Sequence, residues 1–383
     1  MRLKLLIILG GLTTSCFAYL NDTDGSTHHD GIYGGEEIEP GSRPYLVSLG
    51  KGSSGLGQFC GGSLISKHAI LTAAHCVTEY DENDGSLSWN PPEWVELHRH
   101  NLCDDTEDFV RVHLDQTQCS GDVVFHPEYN GTTDDNDVAI VFLSNAIDDI
   151  VPVILNSDPN VPAVDDPLDV AGWGEVDDGS YPVIPSSVTL YYLTNEACMS
   201  KPFKWGWWMI TDNMMCAFAK KKSSCHCDSG GPLVLGKAEP EGGPMNPVVQ
   251  VGIVSFGIKK GCALNRYPAV YTRITSVIDW IRDTVCGRTG ELCKESKRKR
   301  KEGSIRRAKS IDGMECEELP EYVPPKKWKP AECVAQEAVI VSMTRTHVEP
   351  PSKPGKPDKK PKSGKSKSKP KSAKKHMNIF GTL

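Results

Sequence analysis

Three separated segments of this 383-residue chain bear side chains that together suit nucleophilic chemistry: Leu71-Thr72-Ala73-Ala74-His75-Cys76, Asp135-Asn136-Asp137-Val138-Ala139-Ile140 and Cys227-Asp228-Ser229-Gly230-Gly231-Pro232. A serine hydroxyl is a weak nucleophile until an imidazole accepts its proton. The imidazole in turn needs a buried carboxylate to set its tautomer and stabilise its charged form. One at a time the segments say little, because a lone histidine on an apolar strand is usually structural and an aspartate in a polar loop is usually solvated. In the order His75, Asp137, Ser229 they point to acyl transfer. Neither a metal nor a cofactor is implied; the adjacent pair His28-His29 lies in a polar peptide and reads as solvated.

Such residues need a scaffold of strands. From residue 32 to about 286, short apolar runs recur between turn residues, among them 45–49, 95–97, 110–114, 123–125, 138–142, 168–171, 188–193, 248–256 and 269–274. That pattern predicts an all-β sandwich or barrel. Helical spacing is convincing only over 275–285, where Val277, Ile278, Ile281 and Val285 share a face, so one closing helix is expected.

The chain opens with Met1-Arg2-Leu3-Lys4, an apolar run and Cys16-Phe17-Ala18, the charge, core and cleavage pattern of a secretory signal. Residues 1–18 are therefore expected to be a signal peptide, and the protein secreted and extracellular. The run is too short to span a membrane, and no transmembrane segment is expected. Thirteen of the fourteen cysteines follow Ala18, as suits an oxidising compartment. The formal net charge of -7 conceals an asymmetry: -20 up to Cys293 and +13 beyond it. Lys297 to Lys301 reads KRKRK, and 350–383 is Lys/Pro/Ser-rich and expected to be largely disordered, because it has too little apolar surface to offset its ordering entropy. The intervening 287–349 is a basic extension that contains Cys316, Cys333 and a short apolar run. The tail suits a polyanion, after secretion a sulfated glycan, or simply a solvated extension.

With these residues on the page, the chain resembles the chymotrypsin-like (trypsin family) serine proteases over residues 32–286. Further matches are Ile32-Tyr33-Gly34-Gly35, Gly172-Trp173-Gly174, Ser255-Phe256-Gly257, Val270-Tyr271-Thr272 and Trp280-Ile281 in the closing helix. The resemblance implies two six-stranded antiparallel barrels with the site between them, His75 as general base, Asp137 as its orienting carboxylate and Ser229 as nucleophile. It also implies the disulfides Cys60–Cys76, Cys198–Cys216 and Cys225–Cys262. Where the family often has one more, this chain has Leu168 and Leu235, an apolar pair suited to the same space. Cys103 and Cys119 flank an acidic insertion and are expected to pair, the other reading being two unrelated thiols.

The chain departs from the pattern at Cys227, where the family has a glycine whose N–H joins that of Ser229 in holding the oxyanion. Either a Cβ is tolerated there and the donor survives, or the peptide turns away and turnover suffers. Residues resembling the primary pocket are Ser223 at the base and Gly257 and Ala269 on the walls. Without a carboxylate at the base, they favour apolar or aromatic side chains over Arg and Lys. His226, Lys259 and Lys260 at the rim favour acidic neighbours on the substrate, and Trp205-Gly206-Trp207-Trp208 is either an aromatic wall or core packing.

In the family a cut frees the amine of the residue corresponding to Ile32, which pairs with the carboxylate corresponding to Asp228. Here Asp30-Gly31 precede the junction, so 19–31 reads as a propeptide and the activating protease should not be of trypsin specificity. Asn21 and Asn130 begin N-x-[ST] glycosylation signals. The function expected is thus a secreted serine endopeptidase; the alternative is a catalytically weak or inactive homologue that binds or regulates.

Overall fold

The computed structural model describes residues 32–294 apart from 82, 117–119, 177–178, 207–208, 237–247 and 259–260, together with 380–382. The signal, the propeptide, Asn21, Cys119, the basic extension from 295 on and the tail up to 379 lie outside the described residues. Strands in the first half are β1 (Glu36–Glu37), β2 (Leu46–Gly50), β3 (Gln58–Ser66), β4 (Ala69–Thr72), β5 (Thr78–Tyr80), β6 (Leu87–Trp89), β7 (Trp94–Leu97), β8 (Val110–His113), β9 (Val123–Phe125) and β10 (Ala139–Phe142). The second half contains β11 (Ile154–Leu155), β12 (Pro167–Gly172), β13 (Ser186–Leu193), α1 (Asn195–Met199), β14 (Met214–Phe218), β15 (Pro232–Leu235), β16 (Val249–Ile258), β17 (Ala269–Arg273) and α2 (Ile274–Thr289). Near the chain end, β18 (Phe380–Thr382) follows.

The fold is all-β. In the second half, β13-β12-β15-β16-β17-β14 form a sheet that closes because β14 also pairs with β13, giving a six-stranded barrel with β1, β11 and β18 added at its margins. The first half is a half-barrel of seven strands ordered β8-β7-β2-β3-β4-β10-β9. Closure pairs these strands on both sides along their inner stretches, while β16 runs on past the end of β15, which pairs with it only as far as Ile253. β5 and β6 form a separate hairpin.

Apolar alternation places one cluster inside each half: Val47, Leu64, Ile70, Leu71, Ile140 and their neighbours in the first, and Leu168, Val170, Leu190, Leu233, Val254 and Tyr271 in the second. α2 buries Ile274, Val277, Ile278, Ile281, Val285 and Cys286, the face anticipated from spacing, and these join the first cluster. The helix ends at Gly290, whose φ of 79° is the left-handed cap that glycine adopts without steric cost. It outruns the expected span 275–285 at both ends, and Cys286 is bonded to Cys293 just beyond its end.

Buried polar contacts join the halves. Ser63 on β3 donates to Gln250 on β16 at 2.7 Å, and Arg43 just before β2 pairs with Asp169 on β12 at 2.9 Å. Leu168 lies directly opposite Leu235 in the β12–β15 ladder, where the family often places a disulfide. Cys60–Cys76, Cys198–Cys216 and Cys225–Cys262 are bonded as expected. Since Ile281 is fully buried where α2 meets the first cluster, Ile281→Ala should lower unfolding stability by about 2–5 kcal/mol. An unchanged urea midpoint would show that the helix contributes nothing to the core.

Candidate active site

His75 sits in a single 3-10 turn, Ala74–Cys76, at the end of β4, and Cys60–Cys76 ties that turn to β3. The Asp137 side chain is fully buried and accepts from His75 twice, from ring Nδ1 at 2.7 Å and from the main-chain N–H at 3.0 Å. A proton on Nδ1 leaves Nε2 as the basic nitrogen. Ser255 Oγ on β16 donates to the same carboxylate at 2.6 Å, and Thr272 Oγ1 on β17 donates to the Asp137 carbonyl at 2.7 Å. Both barrels therefore grip one residue. The roles of Ser255 and Thr272 escaped sequence reasoning, and the signal that carries them is a hydroxyl set in an otherwise apolar strand.

Burial alone would lower the His75 pKa, but the adjacent Asp137 charge and hydrogen bond outweigh it and hold the imidazole above its ordinary value. Burial likewise opposes Asp137 ionisation, and the His75 charge with the bonds from His75 and Ser255 overcomes it, keeping the carboxyl below its ordinary value. Each group thus stabilises the charged form of the other.

Ser229 lies in a tight turn between Cys225 and β15. Its carbonyl accepts from Gly61 N–H at 2.7 Å, and Gly230 N–H donates to the Val254 carbonyl at 2.8 Å. Gly230 has φ +78°, and a Cβ there would collide with Thr72 Oγ1 and the Gly61 carbonyl. The serine turn is thereby pressed against the end of β4, one residue before Ala73 and two before the helical turn of His75. Ser229 Oγ is buried and makes no hydrogen bond among the described residues, which leaves the hydroxyl uncommitted.

The N–H groups of Asp228, Gly230 and Gly231 are taken up by the carbonyls of Cys225, Val254 and Asp228. Cys227 has φ +73°, a left-handed conformation that glycine adopts freely and that costs another residue about 1–2 kcal/mol. It is buried and disulfide-bonded, and its carbonyl accepts from Gln58 Nε2 at 2.9 Å.

Asp228 is also buried. Its two oxygens accept from Gly174 N–H at 2.9 Å and Cys225 N–H at 2.8 Å. A Cβ at Gly172 or Gly174 would collide with this carboxylate, which explains the glycines flanking Trp173. Ile32 is fully buried in the second cluster. No cation among the described residues pairs with Asp228, and burial pushes its pKa up to about 7.

Gly257 and Ala269 each flank the paired residues Phe256 and Val270, and both are buried. Ser223 lies on the loop after β14, which Cys225–Cys262 fastens to the approach to β17. Gly257 and Ala269 thus lie at one end of the β16–β17 ladder. Trp205 is core packing: it is 2% exposed, donates to the Pro268 carbonyl at 2.9 Å and stacks edge-on against Phe256 and Tyr267. Trp207, Trp208, Lys259 and Lys260 lie outside the described residues, whereas His226 stands 4.0 Å from Glu175. Asn130 is exposed and its side chain accepts from Thr132 N–H. The cluster Cys60, His75, Cys76 has metal-ligand chemistry, but both sulfurs are spent in a disulfide.

Because Asp228 is more basic in the folded state than its ordinary 3.8, folding favours its protonated form. Stability of the uncleaved protein should then fall by a few kcal/mol as pH rises from about 4 to about 7. Asp228→Asn should flatten that slope in urea unfolding at the two pH values; an undiminished slope would place its origin elsewhere.

Comparison with known proteins agrees with the geometry. The trypsin family model matches residues 32–281. The chain is 33% identical to trypsin II-P29 of Gallus gallus over 282 residues, covering 72% of this chain and 97% of that protein. It is also 33% identical to putative trypsin-6 of Homo sapiens over 270 residues (67% and 90%) and 34% identical to trypsin of Xenopus laevis over 270 residues (67% and 91%).

Proposed function

The chain belongs to the trypsin family of serine proteases, and on that premise we propose that it is a secreted endopeptidase working through His75, Asp137 and Ser229. The observation that carries the reading is the buried Asp137 carboxylate, bonded to ring and main chain of His75 while the serine turn is packed against the same strand end. On substrate binding, Ser229 Oγ turns to His75 Nε2 and attacks the scissile carbonyl carbon as its proton passes to the imidazole. Asp137 holds the imidazolium in place. The main-chain N–H groups of Ser229 and Cys227 receive the developing oxyanion, a contribution worth about 10²–10³-fold in turnover for one donor. Collapse expels the amine, protonated by His75, and water then hydrolyses the ester at Ser229 by the same route.

The pocket of Ser223, Gly257 and Ala269 takes a medium apolar or aromatic side chain, because an unpartnered guanidinium is costly to bury. Activation frees the Ile32 amine, which supplies the cation that Asp228 lacks. The protease that makes this cut reads a sequence ending in Asp30-Gly31 and so is not of trypsin specificity. Among the described residues no helix is long and apolar enough to cross a membrane. Export by residues 1–18, N-glycosylation at Asn21 and Asn130, and polyanion binding by the basic tail complete the reading.

A fluorophosphonate probe should label the processed protein at Ser229, and Ser229→Ala should abolish both label and turnover, a loss on the order of 10⁶-fold in kcat. Labelling should slow as pH drops through a value above 6.5, the ordinary histidine value, since the neutral imidazole is the base. Processed protein that takes no label would refute the assignment. A peptide-library profile should favour Leu, Phe, Tyr and Met at the cut residue; dominance of Arg or Lys would mean that Ser223 is not the pocket base.

A further inference from the structure

The outer end of β16 is occupied. β18, from the far end of the chain, pairs with it in antiparallel register, Thr382 opposite Phe256, Gly381 opposite Gly257 and Phe380 opposite Ile258. Nothing in the composition of the Lys/Pro/Ser-rich tail anticipates a strand here. β16 is the strand whose Ser255 hydroxyl holds Asp137 and whose Val254 carbonyl accepts from Gly230 N–H beside Ser229. At about 3.3 Å per residue, the paired stretch begins within one or two residues of those contacts. The added strand runs from Ile258 toward Phe256, so its direction leads toward Ser255 and the serine turn.

We propose that this edge of β16 is a binding site for the chain's own segment 380–382, and that its occupation is autoinhibitory. A strand edge offers each main-chain N–H and C=O to one partner only, so the segment and an extended substrate peptide cannot both pair with 256–258. Two glycines face each other across the ladder at Gly257 and Gly381, where no side chain holds the backbones apart. Three paired residues bind weakly by themselves, but tethering gives the segment a high effective concentration that a free peptide must exceed. The inhibitory consequence rests on the serine-peptidase reading; the pairing itself does not.

The test compares the full processed chain with Gly381→Pro, which removes one N–H and restricts φ in the added strand. Hydrogen exchange across the amides of residues 256–258, where alternate N–H groups face the added strand, reads the pairing without reference to activity, and kcat/KM on an extended tetrapeptide substrate reads the inhibition. With the segment seated in about nine-tenths of molecules, the variant should exchange faster at those amides and gain on the order of tenfold in kcat/KM. A synthetic peptide of sequence NIFGTL should then inhibit the variant competitively. Unchanged exchange would overturn the binding site. Faster exchange with unchanged kcat/KM, in protein that takes the fluorophosphonate label, would overturn autoinhibition. Faster exchange in protein that takes no label would uphold the pairing and remove the peptidase reading instead.

Discussion

A single buried carboxylate organises this molecule. Asp137 is removed from water, where an isolated charge is strongly disfavoured, and it is tolerated because every direction around it is filled by a donor: two from His75 and one from Ser255, with Thr272 bonded to its carbonyl. His75 comes from the half-barrel, Ser255 and Thr272 from the closed barrel. The apposition of the two halves is thus a condition for satisfying this charge. The contacts that join them elsewhere, Ser63 with Gln250 and Arg43 with Asp169, serve the same geometry.

A second constraint is closeness. The serine turn approaches β4 within a distance that only glycine at 230 permits, and the Asp228 carboxylate lies where a side chain at 172 or 174 would stand. The two aspartates nearest the site have opposite environments. Asp137 faces a partner that becomes cationic, and its pKa is lowered; Asp228 has only main-chain donors, and its pKa is raised to about 7. Cys227 shows the backbone dominating over residue type, since the surrounding turn holds it at a positive φ despite the cost.

β16 links these parts. One stretch of it anchors the serine turn, the next residue holds Asp137, and the residues after that pair with β18. The contacts to the serine turn, to Asp137 and to β18 follow one another along residues 254–258, so whatever pairs with this stretch lies directly beside the serine turn.

The residues of the candidate triad, the all-β class, the closing helix and three disulfides were legible in the sequence. Each is written in local chemistry: a period of two or of 3.6, a turn rich in glycine, a motif around a histidine or serine. Leu168 and Leu235 were likewise readable as a pair, and the ladder sets them opposite each other. Ser255 and Thr272 were invisible as donors to Asp137, because their partner is more than a hundred residues away and a hydroxyl set in an apolar strand does not name the group it will meet. Trp205 stayed ambiguous between wall and core until its neighbours Phe256 and Tyr267 were known. The strand at 380–382 was the least legible, since three residues in a basic tail form a strand only where another strand presents an open edge. Sequence by itself determined which groups are available and what local geometry each prefers. Tertiary structure decided which of them meet, because desolvation, hydrogen-bond satisfaction and edge pairing depend on contacts between segments that the chain order does not encode.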